Sequence, residues 1–316
     1  MNEVVHRAKY ERLIEAARRL EPAPTAVAYP CDESSLRGAV EAAHTGLMQA
    51  ILVGPRKRIE DTARKAKIDI AHFETVDSED SEQAAAAEAV RLASEGRAQM
   101  LMKGSLHTDQ IMGAVVRREA GLRTSRRISH CFVMDVPAID RAIIVTDAAI
   151  NIFPTLEEKV DIVQNAIDLA HALGRPKPLV AILSAMETVN PKVASTIEAA
   201  ALCKMADRGQ ITGGVLDGPL ALDNAIDLAA ARIKKIDSPV AGKADILVVP
   251  DLEAGNMLAK SLTFMANADA AGIVLGARVP VILTSRADPV TTRLASCAVA
   301  ALVAHARSHD VRKAVA

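Results

Sequence analysis

Four segments of the chain set glycine or a hydroxyl beside residues that can hold or move charge, each next to a short apolar run. KGSLHTD (103–109) follows the run QMLM. Lys103 and Gly104 at a helix start offer an anion a cation, close backbone approach and free N–H groups, and His107 and Thr108 continue the loop. The same residues also read as an ordinary turn with a solvated lysine and Thr108 as the cap. PDLEAGNMLAK (250–260) follows ILVV, with Asp251 at the strand end, Gly255 and Asn256 near the first helical turn, and Lys260 beyond. Glycine in a helical pattern costs ~1 kcal/mol against alanine, so Gly255 calls for a reason such as close approach by a ligand. Asp251 equally suits a plain helix cap. LTSRADP (283–289) offers Ser285 and Arg286 after a very apolar strand, then Asp288 and Pro289 in N-cap and N1 order. An arginine there can grip phosphate through two parallel hydrogen bonds, or sit as a surface side chain in a loop. RRISH (126–130) places Ser129 and His130 at the start of a strand.

Singly, none of these is specific. The chain has no Walker loop, no G-x-G-x-x-G after a strand, no G-x-S-x-G elbow and no histidines at metal-ligand spacing. The residues alone support an α/β protein that binds a phosphate-bearing small molecule.

The elements that must position these loops are short apolar runs alternating with longer amphipathic segments. TAVAYP (25–30), QAILVG (49–54) and QMLMKG (99–104) read as buried strands, and residues 33–44, 55–67 and 79–96 as the helices between them. The clearest helix spans 155–173: Thr155 caps it, Glu158 completes a capping box, and Leu156, Val160, Val163, Ile167 and Ala170 form one apolar stripe. PLVAILSA (178–185), ADILVVPD (244–251), GIVLG (272–276) and RVPVILTS (278–285) continue the pattern, before an alanine-rich helix toward His305. The alternation predicts an α/β fold: two domains of mostly parallel sheet, with helices on both faces. In such sheets ligands bind beyond the carboxyl ends of the strands, where loops lead into helices. No low-complexity linker separates the halves, which points to a chain that crosses between domains more than once.

Composition narrows the partners. In 316 residues, 38 basic against 39 acidic side chains give a net charge of -1, which removes a global electrostatic case for nucleic acid or an anionic membrane. With no Trp, two Tyr and four Phe there is no platform for stacking bases. Cys31, Cys131, Cys203 and Cys297 form no CxxC pair and read as small buried hydrophobes in a reducing compartment. The first twenty residues are charged throughout, unlike a signal peptide, and the apolar stretches are broken by Asp147, Arg278 or Arg286, so a cytoplasmic protein is expected.

Taken together, the loops resemble the phosphate acetyl/butyryltransferase family. The pieces that carry the likeness are LMKGSLHTD (101–109), ISHCFVMDVP (128–137), TDAAINIFPTLEEKVDI (146–162), SPVAGKADILVVPDLEAGNMLAK (238–260) and VPVILTSRAD (279–288). The resemblance implies reversible acyl exchange, in which acyl-CoA and phosphate give acyl phosphate and CoA, with acetyl the expected acyl group and butyryl the alternative. It also implies a fold similar to isocitrate and isopropylmalate dehydrogenases. Residues 1–141 plus 273–316 would form the first domain and 142–272 the second, with a cleft between them where the loops at 103–108, 251–256 and 285–288 converge. The partners so implied are acyl-CoA or CoA, phosphate or acyl phosphate, and a second copy of the chain in a homodimer or larger homo-oligomer, with no metal and no cofactor beyond CoA as substrate.

By the same resemblance the Ser-Arg pair of the acetyltransferase branch falls on Ser285 and Arg286, which implies Arg286 on the phosphoryl group and Ser285 on the carbonyl oxygen or thiol. Lys103, Gly104, Thr108 and Ser129 are candidates for holding phosphate, and Asp251, Gly255, Asn256 and Lys260 for further substrate contacts. Two positions depart from that branch. The carboxylate proposed there as base falls on Thr292, and an arginine of the helix after the KG loop falls near Gly113, with Arg117 and Arg118 one turn on. Asp288 and His107 are the remaining candidate bases. Two rival readings are an oxidoreductase on the related dehydrogenase fold, with Asp147, Asp217, Asp245 and Asp251 as a metal cluster, and a non-catalytic acyl-CoA or acyl phosphate sensor.

Overall fold

The computed structural model describes residues 8–284 and 288–315. Its chain divides into two compact units, residues 1–126 with 271–316 and residues 127–270.

In the first unit, α1 (Ala8–Arg18) leads into β1 (Ala23–Ala28), α2 (Glu33–His44), β2 (Met48–Gly54), α3 (Arg56–Ala66), β3 (Glu74–Asp77), α4 (Glu82–Ser94), β4 (Met100–Lys103) and α5 (Thr108–Val116). The chain returns to this unit through β10 (Asp269–Leu275), β11 (Val281–Ile282) and α11 (Val290–Val315). The strands lie in the order β3-β2-β1-β4-β11-β10. All pair in parallel except β10 with β11. β4 is buried at every position, as a strand covered on both faces must be, which is why it reads as an unbroken apolar run. The expected strand at 278–285 shrinks to two paired residues. Pro280 has no N–H to give a ladder, and its carbonyl instead accepts from Leu101 N.

In the second unit, β5 (Ser129–Asp135) and β6 (Ile143–Thr146) form an antiparallel pair, followed by α6 (Leu156–Ala172), β7 (Leu179–Leu183), α7 (Ala194–Asp207), β8 (Val215–Leu220), α8 (Leu222–Ile226), α9 (Leu228–Ile233), β9 (Ile246–Val248) and α10 (Leu252–Met265). The order is β5-β6-β9-β7-β8, parallel from β6 onward. The division after Arg126 keeps β5 with its partner β6, whereas the expected boundary after residue 141 would have parted them.

The capping box of α6 forms as the sequence predicts: Glu158 N donates to Thr155 Oγ1 and Thr155 N to Glu158 Oε2. The buried face is rotated from the predicted stripe. Ile162, Val163, Ala166, Ile167, Leu169 and Ala170 are buried, while Leu156 and Val160 are only partly so. Lys159 is buried too, because it pairs with Glu198 of α7. An apolar-only pattern misses a seam that includes a charged side chain with a partner.

Candidate functional site

In the first unit β1, β4 and β11 end side by side, with Ala28 opposite Lys103 and Met102 opposite Ile282. This is the carboxyl edge where such sheets bind ligands. Lys103 is only 5% exposed, so it is not the solvated lysine of an ordinary turn. Its ammonium donates to Leu106 O at 3.0 Å and Gly104 O at 3.5 Å, under the loop that it begins. Gly104 is needed for a reason other than an approaching ligand. A Cβ there would stand 2.3 Å from Ala28 O and 2.6 Å from Tyr29 O. Its N–H goes to Ala28 O and that of Ser105 to Tyr29 O, while Ser105 Oγ also donates to Tyr29 O. The N-cap of α5 is His107, not Thr108; it offers no side-chain cap, and its N–H is held by Glu82 Oε2 at 2.8 Å. The side chains of His107 and Thr108 are exposed. Asp288 is half-buried on the approach to α11. Ser285 and Arg286 lie outside the described residues.

In the second unit the carboxyl ends of β6 and β9 are neighbours, and Asp147 and Asp251 follow them. Asp251 caps α10, accepting from Ala254 N at 2.8 Å. Gly255 lets α10 lie against the turn after β6, since a Cβ would meet Asp147 O and Val249 Cγ2 at 2.8 Å. That packing replaces the expected ligand approach as the cause of this glycine. Asn256 Nδ2 donates to Ala148 O at 3.3 Å, and Lys260 is exposed. Ser129 is fully buried and accepts from Asn165 Nδ2 at 2.9 Å, so its hydroxyl serves β5 and α6. The described candidate site residues thus fall into two sets, Lys103, Gly104, His107, Thr108 and Asp288 in the first unit and Ser129, Asp251, Gly255, Asn256 and Lys260 in the second.

Asp147 belongs to the carboxylate cluster that the rival oxidoreductase reading would require. Its carboxylate is 3% exposed and accepts from the backbone N–H groups of His130, Ala149, Ile150 and Asn151 and from Asn151 Nδ2. It is the anchor of the turn after β6. Asp245 pairs with Arg175 at 2.8 Å and Asp251 is the cap just described. Among the described residues no three His, Cys, Asp or Glu side chains are grouped to hold a metal ion.

Burial sets the titration of the nearby groups. All four cysteines are free, and burial pushes each thiol up to about 12, so they stay protonated and weakly nucleophilic at neutral pH. His130 moves the other way: burial disfavours the imidazolium, and the Asp147 carboxylate offsets only part of that. Its Nδ1 is buried with no hydrogen-bond partner. The unfolded chain therefore binds a proton here that the folded chain refuses, and stability falls as pH drops below the ordinary histidine value of 6.5. Urea unfolding from about pH 7.5 to about pH 5 should show this slope, and His130→Asn should flatten it. An unchanged slope in the variant would assign the acid sensitivity to other groups.

The family model described as "Phosphate acetyl/butaryl transferase" matches residues 83–301. The chain is 66% identical over 300 residues to a protein of Rhizobium meliloti named phosphate acetyltransferase, covering 95% of each. It is 45% identical to a phosphate butyryltransferase of Clostridium beijerinckii, over 92% of this chain and 97% of that one. The crystal structure of a branched-chain phosphotransacylase from Enterococcus faecalis superposes with a TM-score of 0.79 at 32% identity, over 90% of this chain and 99% of the other. With its loops placed at the carboxyl ends of parallel strands and this likeness running along almost its whole length, the chain belongs to the phosphate acetyl/butyryltransferase family.

Proposed function

We propose that this protein is a phosphate acyltransferase that converts acetyl-CoA and phosphate to acetyl phosphate and CoA, and the reverse. The observation that carries the acetyl assignment is the likeness to the Rhizobium meliloti protein; the lower identity to the clostridial butyryltransferase makes a longer acyl chain the second reading. A phosphate oxygen attacks the thioester carbonyl carbon, the C–O bond forms, and the C–S bond then breaks with the electron pair leaving on sulfur. The CoA thiolate takes up the proton that phosphate gives up. Lys103 and Arg286 offset the charge of the phosphate, and Ser285 donates to the carbonyl oxygen as it becomes an oxyanion. Asn256 and Lys260 enter this reading as further substrate contacts. Asp288 and His107 are the groups able to exchange the thiol proton. No acyl-cysteine is formed, in keeping with four thiols held protonated. The reading includes a homo-oligomer in the cytoplasm, acting without metal; among the described residues no helix is long and apolar enough to cross a membrane.

The test is thiol release from acetyl-, propionyl- and butyryl-CoA, with and without phosphate or arsenate and in the presence of a chelator. Release should require the oxyanion, survive the chelator and be fastest with acetyl-CoA. Equal release without phosphate would make the protein a thioesterase instead, and no release under any condition would favour the sensor. Fastest release from butyryl-CoA would replace acetyl with the second reading.

A further inference from the structure

Arg293 stands in the first turns of α11 with 2% of its surface exposed. A cation near a helix N-terminus works against the helix dipole, and removing a guanidinium from water costs several kcal/mol before its partners repay it. Its placement therefore needs a cause. Nη1 donates to Thr284 Oγ1 at 3.2 Å and Nη2 donates to Ser34 Oγ at 2.9 Å. Thr284 is buried just beyond the end of β11, while Ser34 lies in the exposed first turn of α2. The planar fork thus ties α11 to two other elements at once, which a lysine's point charge on a flexible stem would not do as firmly. A second feature of α2 fits the same side chain. Gly38 is in the interior of that helix, and a Cβ there would stand 2.7 Å from Arg293 Cδ. The ~1 kcal/mol that glycine costs a helix is offset by room for this arginine. The pairing of β11 with β4 brings the Thr284 end of the tie to the edge where Lys103 begins its loop.

We propose that Arg293 is a positioning residue for acyl transfer: by bridging Thr284 and Ser34 it holds the carboxyl end of β11 against α2, at the sheet edge that carries Lys103. This rests on the phosphate acyltransferase reading. Arg293 acts through Thr284 rather than on substrate, so its loss changes the rate of the chemical step more than the binding of either substrate.

The experiment compares Arg293→Met, Arg293→Lys and the Ser34→Ala/Thr284→Val pair for kcat per folded molecule, KM for phosphate and acetyl-CoA, and thermal melting. Arg293→Met should lower kcat about 10²-fold, the size expected for a displacement near 1 Å at a reacting centre, with both KM values within about threefold of the parent. Arg293→Lys, which keeps the charge but cannot span both hydroxyls, should lower kcat about tenfold. Adding the Ser34→Ala/Thr284→Val pair to Arg293→Met should cost little more, because all three act through one contact. Should Arg293→Met not fold, Arg293→Lys and the hydroxyl pair carry the same comparison. A kcat per folded molecule within about threefold of the parent in both of these, whatever the melting temperature does, overturns the proposal and leaves Arg293 a structural brace. A parent protein without phosphate-dependent release would sink the acyltransferase reading itself and the proposal with it, and the parent arm of the assay tells the two failures apart.

Discussion

Arg286→Ala is expected to lower turnover about 10³-fold, the upper range for removing one preorganised donor at a developing charge, and to leave the melting temperature within a few degrees of the parent. The reason is chemical. Phosphate brings its negative charge to the thioester, and more negative charge develops on the carbonyl oxygen as the C–O bond forms. A guanidinium meets phosphate with two parallel charge-assisted hydrogen bonds, a geometry that an ammonium cannot copy. Arg286→Lys should therefore also be slow, with a raised KM for phosphate, and Ser285→Ala should cost less, about 10²-fold, as one donor among several. Steady-state kinetics in both directions with a thermal melt decide the matter. If Arg286→Ala loses stability and activity in parallel with KM for phosphate unchanged, the arginine merely braces its loop. A stable Arg286→Ala protein with near-normal turnover at low phosphate would move the centre of the chemistry to Lys103.

Gly104→Ala is expected to destabilise the protein by about 3 kcal/mol, at the high end for overpacking. The atoms that a Cβ would meet are the carbonyls of Ala28 and Tyr29 at 2.3 and 2.6 Å. They are backbone, and Ala28 O is already bonded to Gly104 N, so relief requires moving β1 or β4 rather than rotating a side chain. Turnover should fall beyond the loss of folded protein, since Lys103 is the preceding residue. Gly113 supplies the control. It lies inside α5 with nothing within 4 Å of its would-be Cβ, so Gly113→Ala should raise stability by about 0.5–1 kcal/mol. Urea unfolding of the three proteins checks both signs. Equal midpoints for Gly104→Ala and the parent would mean that the strand ends give way freely.

Element type and order could be read along the chain because they rest on local rules. Unbroken apolar runs such as MLMK belong to strands covered on both faces, and the Thr155–Glu158 box sets a helix start whatever surrounds it. The family could be read as well, from loops whose residue order is distinctive. Tertiary structure decided the causes. Gly104 and Gly255 look alike as glycines beside strand ends, yet each makes room for a neighbouring backbone, Ala28 and Tyr29 in one case and Asp147 and Ala148 in the other. Asp147 could pass for a metal ligand until its oxygens are found among five N–H groups. Ser129 could pass for a phosphate contact until Asn165 is found on its hydroxyl. Arg293 gave no sign at all, because its partner Ser34 and its clearance over Gly38 come from a helix at the other end of the chain. Local chemistry dictates which element a segment becomes, whereas the job of a polar or missing side chain is settled by what long-range packing brings within about 3 Å of it.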